Sequence, residues 1–111
     1  MIRAKFYTKD ESIHMTLNGH AKAAPYGEDL ICASATMLAY TVAQAVQFMY
    51  EHGKLKKRPK ISIREGSATI IVTPTEEDYA EALNTFWVAQ CGIHVLAHNY
   101  PQNVKLEHLT V

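Results

Sequence analysis

Cysteine is scarce in this chain. Only Cys32 and Cys91 occur among its 111 residues, at no repeated spacing, which excludes the disulfide framework of small secreted domains and leaves two thiols open to chemistry. An excess of charge is missing too: 11 Lys and Arg balance 11 Asp and Glu. No global field therefore draws the chain to nucleic acid or anionic lipid; direct nucleic-acid binding is not expected, and any such contact would need a local patch. No uninterrupted apolar run approaches the ~18 residues of a spanning helix, and no basic stretch followed by an apolar run opens the chain, so a soluble, cytoplasmic protein with no membrane partner is expected. Repeats and dividing linkers are absent as well. What is present is ordinary globular usage, 48% hydrophobic and 20% charged, enough for one core and hence for a single domain over residues 1–111.

The hydrophobic spacing changes along the chain. From Met1 to Tyr7, Ile2, Ala4 and Phe6 alternate with Arg3, Lys5 and Tyr7, the period-two pattern of a half-buried strand. Thr8 to Ser12 reads as a turn, and Ile13, Met15 and Leu17 alternate again to complete a hairpin ending at Gly19. Ala21 to Glu28 has no periodicity, contains Pro25 and Gly27, and reads as a loop. From Leu30 the spacing is helical, in two sets: Leu38, Val42, Ala45, Met49 and Leu30, Met37, Thr41, Phe48. Such a helix would be buried around most of its circumference, with Asp29 as N-cap and Gly53 as stop. Lys54 to Lys60 is a dense basic run, read as a solvated connector that also complements the negative helix end. Ile61 and Ile63, then Ala68, Ile70 and Val72, flank Glu65-Gly66-Ser67 as a second hairpin. Thr75-Glu76-Glu77-Asp78 resembles a capping box and would start a second helix, with Tyr79, Leu83, Phe86, Gln90, Ile93 and Leu96 on one face. Asn99-Tyr100-Pro101 stops it, and Val104 and Leu106 form a last strand. The predicted order is ββαββαβ, an α+β domain of two helices packed on a mainly antiparallel five-stranded sheet.

The candidate chemistry lies where the first hairpin meets the first helix. With Asp29 as N-cap, Cys32 would be the third helical residue, in the turn where backbone N–H groups are unpaired and the macrodipole is positive. That setting favours a thiolate and supplies donors for an oxyanion. His20 ends the preceding strand, and the eleven intervening residues give its ring ample slack to reach the sulfur. Asp29 has two competing roles, capping the helix or orienting the imidazole. A lone Cys at a helix start and a lone His beside a Gly are each more often structural, so these residues alone only suggest catalysis.

The block Gly19-His20-Ala21 followed by Tyr26-Gly27-Glu28-Asp29-Leu30-Ile31-Cys32-Ala33 resembles the signature of the bacterial ribosomal-processing cysteine proteases, the Prp family. The preceding hairpin, the alanine-rich helix, the Gly66 hairpin and Tyr100 to Leu106 are similar to that family's layout, so the resemblance covers nearly the whole chain. It implies a cytoplasmic cysteine endopeptidase, usually a homodimer, that uses no cofactor and no metal. Its substrate would be the N-terminal peptide of a ribosomal protein precursor: a short extension on large-subunit protein number twenty-seven, cut after a phenylalanine. Carried over by position, His20 is the base and Cys32 the nucleophile, with Asp29 in support. Thr36 stands where the family commonly has Ser, keeping the hydroxyl and adding a methyl. Pro25, Tyr26 and Gly27 belong to the loop joining the dyad, expected to be mobile and to close over a bound peptide.

Other constellations are weaker. Cys91, His94 and His98 stand at i, i+3 and i+7 and could present metal ligands, but no fourth is evident and packing is the simpler reading. Phe86 and Trp87 fit core packing or an interface better than a substrate platform. His14, His52 and His108 carry no signal. Two other functions remain compatible with the residues: a non-enzymatic ribosome-associated binding module that uses the basic run, and a hydrolase of small thioesters.

Overall fold

A computed structural model describes residues 1–20 and 25–107, with residues 25–29 described by their backbone alone. The elements run β1 (Ile2–Lys9), β2 (Ser12–Asn18), α1 (Pro25–Glu51), β3 (Lys60–Arg64), β4 (Ser67–Val72), α2 (Tyr79–Asn99) and β5 (Val104–Glu107). This is the predicted order and the predicted α+β class. The strands line up as β3-β4-β2-β1-β5, all antiparallel except the parallel β1–β5 pair. β5 can lie beside β1 because α2 carries the chain back across the sheet before it.

Alternation along the strands builds one side of the core. Ala4 faces Leu17 and Phe6 faces Met15 across β1–β2, while Met15 meets Ile70 and Leu17 meets Ala68 across β2–β4. All six are buried. Both helices close over this face, α1 through Ile31, Ala35, Ala39, Val42, Val46 and Met49, and α2 through Ala82, Phe86, Ala89 and Ile93. Each fully buried large side chain, such as Phe6, Phe86 or Ile13, contributes about 1.5–3 kcal/mol.

Several expectations need correction. The first turn is tighter than Thr8 to Ser12, because β1 continues to Lys9 and β2 begins at Ser12; Asp10 turns the chain at φ 55°. The helix α1 begins at Pro25, not after an Asp29 cap. Proline fits a first helical position, where its missing N–H would have had no partner and its fixed φ suits the helix. Gly27 costs the helix about 1 kcal/mol relative to Ala, which a 27-residue element absorbs. At its other end Gly53, at φ 74°, is the stop expected: Lys54 N–H donates to Met49 at 2.9 Å and Gly53 N–H to Tyr50 at 3.1 Å, the paired bonds of a Schellman cap.

Nor is α1 buried all round. Its core stripe is Ile31 to Met49, and the second set, Leu30, Met37 and Phe48, is exposed at 71%, 63% and 54%. By length and apolar content Leu30–Glu51 would suffice to cross a membrane, although no uninterrupted apolar run is that long; here one side of it is the core of the domain. α2 begins at Tyr79, four residues beyond Thr75, the expected box start. Thr75 and Asp78 instead bond to each other, Oγ1 to Oδ2 at 2.6 Å, within a turn closed by Asp78 N–H to the Thr75 carbonyl at 3.1 Å. The basic run is a connector whose charges are largely answered within the chain: Lys54 pairs with Glu81 at 2.9 Å, Lys56 with Glu11, and Arg58 lies over the Tyr50 ring at 5.1 Å.

Candidate active site

A cleft of about 490 Å³ opens between α1 and the ends of β2, β3 and β4. From α1 come Cys32, Thr36 and Tyr40, spaced by four so that they form one ridge along the helix, with Ala35 beside them. From the sheet side come His20 after β2, the β3–β4 turn from Arg64 to Ser67, and the apolar floor of Ile2, Leu17, Ile63 and Ala68. The imidazole and the thiol, separated by eleven residues along the chain, thus line one cavity. Thr36 lines it too. Cys32 and His20 are both half-buried, accessible to a ligand yet walled by apolar neighbours.

The position of His20 is set by two glycines. Gly19 adopts φ 100°, and a side chain there would collide with the Met1 carbonyl oxygen, so only glycine lets the chain leave β2 in this direction. Its N–H donates to the Gly66 carbonyl at 2.9 Å, and Ser67 Oγ lies 3.3 Å from Asn18 Oδ1; together they tie the end of β2 to the β3–β4 turn. Gly66, at φ 74°, lies directly against the imidazole: a Cβ there would stand 2.9 Å from His20 Nε2 and 3.3 Å from Cε1. The bare turn is the seat of the ring.

The account of Cys32 at a helix start does not hold. Counted from Pro25, Cys32 is the eighth helical residue, about 10 Å along the axis from the first. The helical residues whose N–H groups lack helical partners are Tyr26 and Gly27, and the macrodipole fades within the first turn. Neither thiolate support nor oxyanion donors can therefore be credited to the helix end at Cys32 itself. Asp29, fifth in the helix, is not its N-cap. Of the expected loop, residues 21–24 lie outside the described residues, whereas Pro25, Tyr26 and Gly27 form the first turn of α1.

Sequence reasoning missed Tyr40 and the whole contribution of residues 63–68. Tyr40 was within reach, since it follows Cys32 and Thr36 at the same helical interval. Residues 63–68 were not, because their place beside His20 depends on β4 pairing with β2. On α2, Cys91, His94 and His98 are all exposed, and among the described residues no three His, Cys, Asp or Glu side chains come together as a metal site. Trp87 is 48% exposed, so it is not a core residue.

A family model for the cysteine protease Prp matches residues 1–105. Among solved structures, the ribosomal processing protease Prp of Staphylococcus aureus with a covalently linked product peptide aligns over 99% of this chain and 100% of its own, at 20% identity and a TM-score of 0.69. The same protease with a substrate peptide aligns over 99% and 100%, at 20% identity and 0.67. A Streptococcus mutans protein aligns over 99% of this chain and 96% of its own, at 22% identity and 0.71. At such identities these likenesses show a common fold. No curated protein matches the chain significantly in sequence.

Proposed function

The chain belongs to the cysteine protease Prp family, and from that premise we propose that it is an endopeptidase in which Cys32 is the nucleophile and His20 the general base, removing the N-terminal extension of a ribosomal protein precursor. The enzyme class follows from the family. The observation that carries the residue roles is the shared cleft: one thiol and one imidazole, from different elements, line the same cavity over an apolar floor. The solved Staphylococcus aureus complexes, one with a substrate peptide and one with a covalently linked product peptide, support a peptide substrate and an acyl-enzyme route.

In this mechanism His20 takes the Cys32 proton, and the sulfur attacks the scissile carbonyl to give a tetrahedral oxyanion. Collapse of that intermediate breaks the C–N bond, with His20 protonating the leaving amine. Water deprotonated by His20 then attacks the thioester and returns Cys32 to its starting state. The Ile2, Leu17, Ile63 and Ala68 floor suits an apolar residue beside the scissile bond, in keeping with cleavage after phenylalanine. The Thr36 hydroxyl is a donor within the cleft.

The substrate is proposed to be the precursor of large-subunit ribosomal protein twenty-seven, the location cytoplasmic and the working unit a homodimer. The test is intact-mass spectrometry of that precursor after incubation with the protein. One cut after phenylalanine, lost in Cys32→Ser and His20→Ala variants that still fold, is the expected result. Cleavage that persists in either folded variant would remove that residue from the mechanism, and turnover of a small thioester without precursor cleavage would replace the substrate class.

A further inference from the structure

Both helices pack on one side of the sheet, and among the described residues no element covers the other side. Strand register determines what that open face carries. Ile2, Ala4 and Phe6 point into the core, so Arg3, Lys5 and Lys9 point away from it. Lys105 stands beside Arg3 across the parallel pair. Ile61 shares its row with buried Ile70, which turns Lys60 outward. Five of the chain's 11 basic residues thus share one face. The only acidic residue in the five strands is Glu107, which pairs with Lys5 at 3.7 Å. A chain with no net charge therefore has a strongly positive side, a segregation that composition conceals.

The face is also grooved, with polar and apolar groups side by side. A groove of about 590 Å³ runs over it, lined by Arg3, Lys5, Tyr7, Thr16, Asn18 and Glu107. The cations stand on β1, β3 and β5, and four interstrand steps, about 19 Å, separate the β5 and β3 edges. Hydroxyl and amide groups occupy much of the rows between, with Ile71 beside His14 in one of them.

We propose that this open face binds single-stranded RNA by its sugar–phosphate backbone. The Lys and Arg side chains meet phosphates, and Thr16, Asn18 and Thr69 meet 2′-hydroxyls, which both donate and accept hydrogen bonds. An anionic membrane fits less well, because shallow insertion needs exposed apolar anchors, whereas here Tyr7 is stacked on His14 at 4.5 Å and Ile71 is half-buried. The surface lies across the sheet from the helix layer and is independent of the cleft chemistry.

The experiment is fluorescence anisotropy of a labelled twelve-nucleotide RNA of mixed sequence, titrated with the full chain at 50 to 200 mM salt. Binding at 50 mM is expected, falling with salt at a log–log slope of roughly −2 to −3, as three or four phosphate contacts require. Arg3→Glu with Lys105→Glu should weaken binding at least tenfold and flatten the slope. Lys57→Glu with Arg58→Glu, an equal charge change in the basic connector, should leave most of the affinity. Peptide cleavage by both double variants should match the parent. If the first pair unfolds, Arg3→Gln and Lys105→Gln, made singly, should each flatten the slope. Absence of binding at 50 mM, or equal weakening by the two double variants, overturns the proposal. So does equal affinity for DNA of the same sequence, or binding to phosphatidylserine vesicles with none to RNA.

Discussion

Gly66 shows how one missing Cβ shapes this cleft. It serves two needs at once, a left-handed turn and a flat seat for His20, and substitutions can separate them. Alanine adds a Cβ and about 1 kcal/mol of backbone strain; asparagine adds the same Cβ but tolerates the left-handed region better. Both should push the imidazole from a site where 2.9 Å is all the room available, and a shift near 1 Å can cost roughly 100-fold in rate. Gly66→Ala and Gly66→Asn should therefore both lower kcat/KM by about 10- to 100-fold, while only Ala lowers the unfolding free energy appreciably. Activity that follows stability instead would make Gly66 a turn residue and nothing more. Cys32 allows a second comparison within the same molecule. Cys91 is the more exposed of the two thiols, so access alone predicts that it alkylates faster. Because Cys32 sits two turns inside α1, any excess reactivity must come from His20 and not from the helix end. With iodoacetamide at pH 6, Cys32 should react at least tenfold faster than Cys91, and His20→Ala should remove that advantage. Equal loss of rate at both cysteines, or none at Cys32, would break the dyad.

The elements were legible in the sequence to very different degrees. Strands β1 and β2 alternate apolar with polar residues through their buried part, β4 does so up to Ile70 and then runs apolar through Ile71 and Val72, and each buries every second residue. α1 was legible in its body but not at its start, since Pro25 and Gly27 are turn residues in general and Pro25 is a good first helical residue in particular. Its two apolar stripes could not be ranked, because which one meets the sheet depends on how the helix is rotated. The dyad was legible through local residues; its cavity wall from β3–β4 was not, because strand pairing across 49 positions, Asn18 with Ser67, leaves no local trace. The β1–β2 hairpin also holds a histidine that sequence passed over. His14 stacks on Tyr7, its Nδ1 is buried without a hydrogen-bond partner, and desolvation, then the charge of Lys9, lowers its pKa from 6.5. The unfolded chain therefore takes up this proton at a higher pH than the folded one. Stability from neutral His14 is complete above about 6.5 and is lost as pH falls toward the lower folded value. Between pH 7.5 and 5.5 the Tm of the parent should fall more than that of His14→Gln, whatever the offset between them at pH 7.5. Parallel curves would show that His14 titrates alike in both states.

The molecule as a whole has three unlike surfaces: a charged open sheet face, a cleft at one end, and a helix layer whose outside is apolar. That third surface carries the homodimer expectation. Along α1, Met37, Tyr40, Ala45 and Phe48 line one shallow groove; between the helices, Leu30, Met37, Leu38 and Val95 line another. Met37 joins the two, and Val88 and Trp87 on α2 add 57% and 48% exposure to the same layer. Clustered exposed apolar side chains are costly in a lone soluble chain and typical of an interface core. A second copy has the same stripe and could cover it about a two-fold axis. Tyr40 lines both this groove and the cleft, so a partner seated there would reach the rim of the active site. Light scattering after size exclusion should give a dimer for the parent and a monomer for Phe48→Asp; Phe48 is not part of the core cluster, so the variant should still unfold cooperatively, at a midpoint lowered by the lost subunit contact and by an acid in the last turn of α1. Because the partner would abut Tyr40, the monomeric variant should also lose peptide-cleaving activity, with dilution of the parent producing the same loss. A parent that is monomeric at micromolar concentration, or a Phe48→Asp protein that remains dimeric, would place association elsewhere or exclude it.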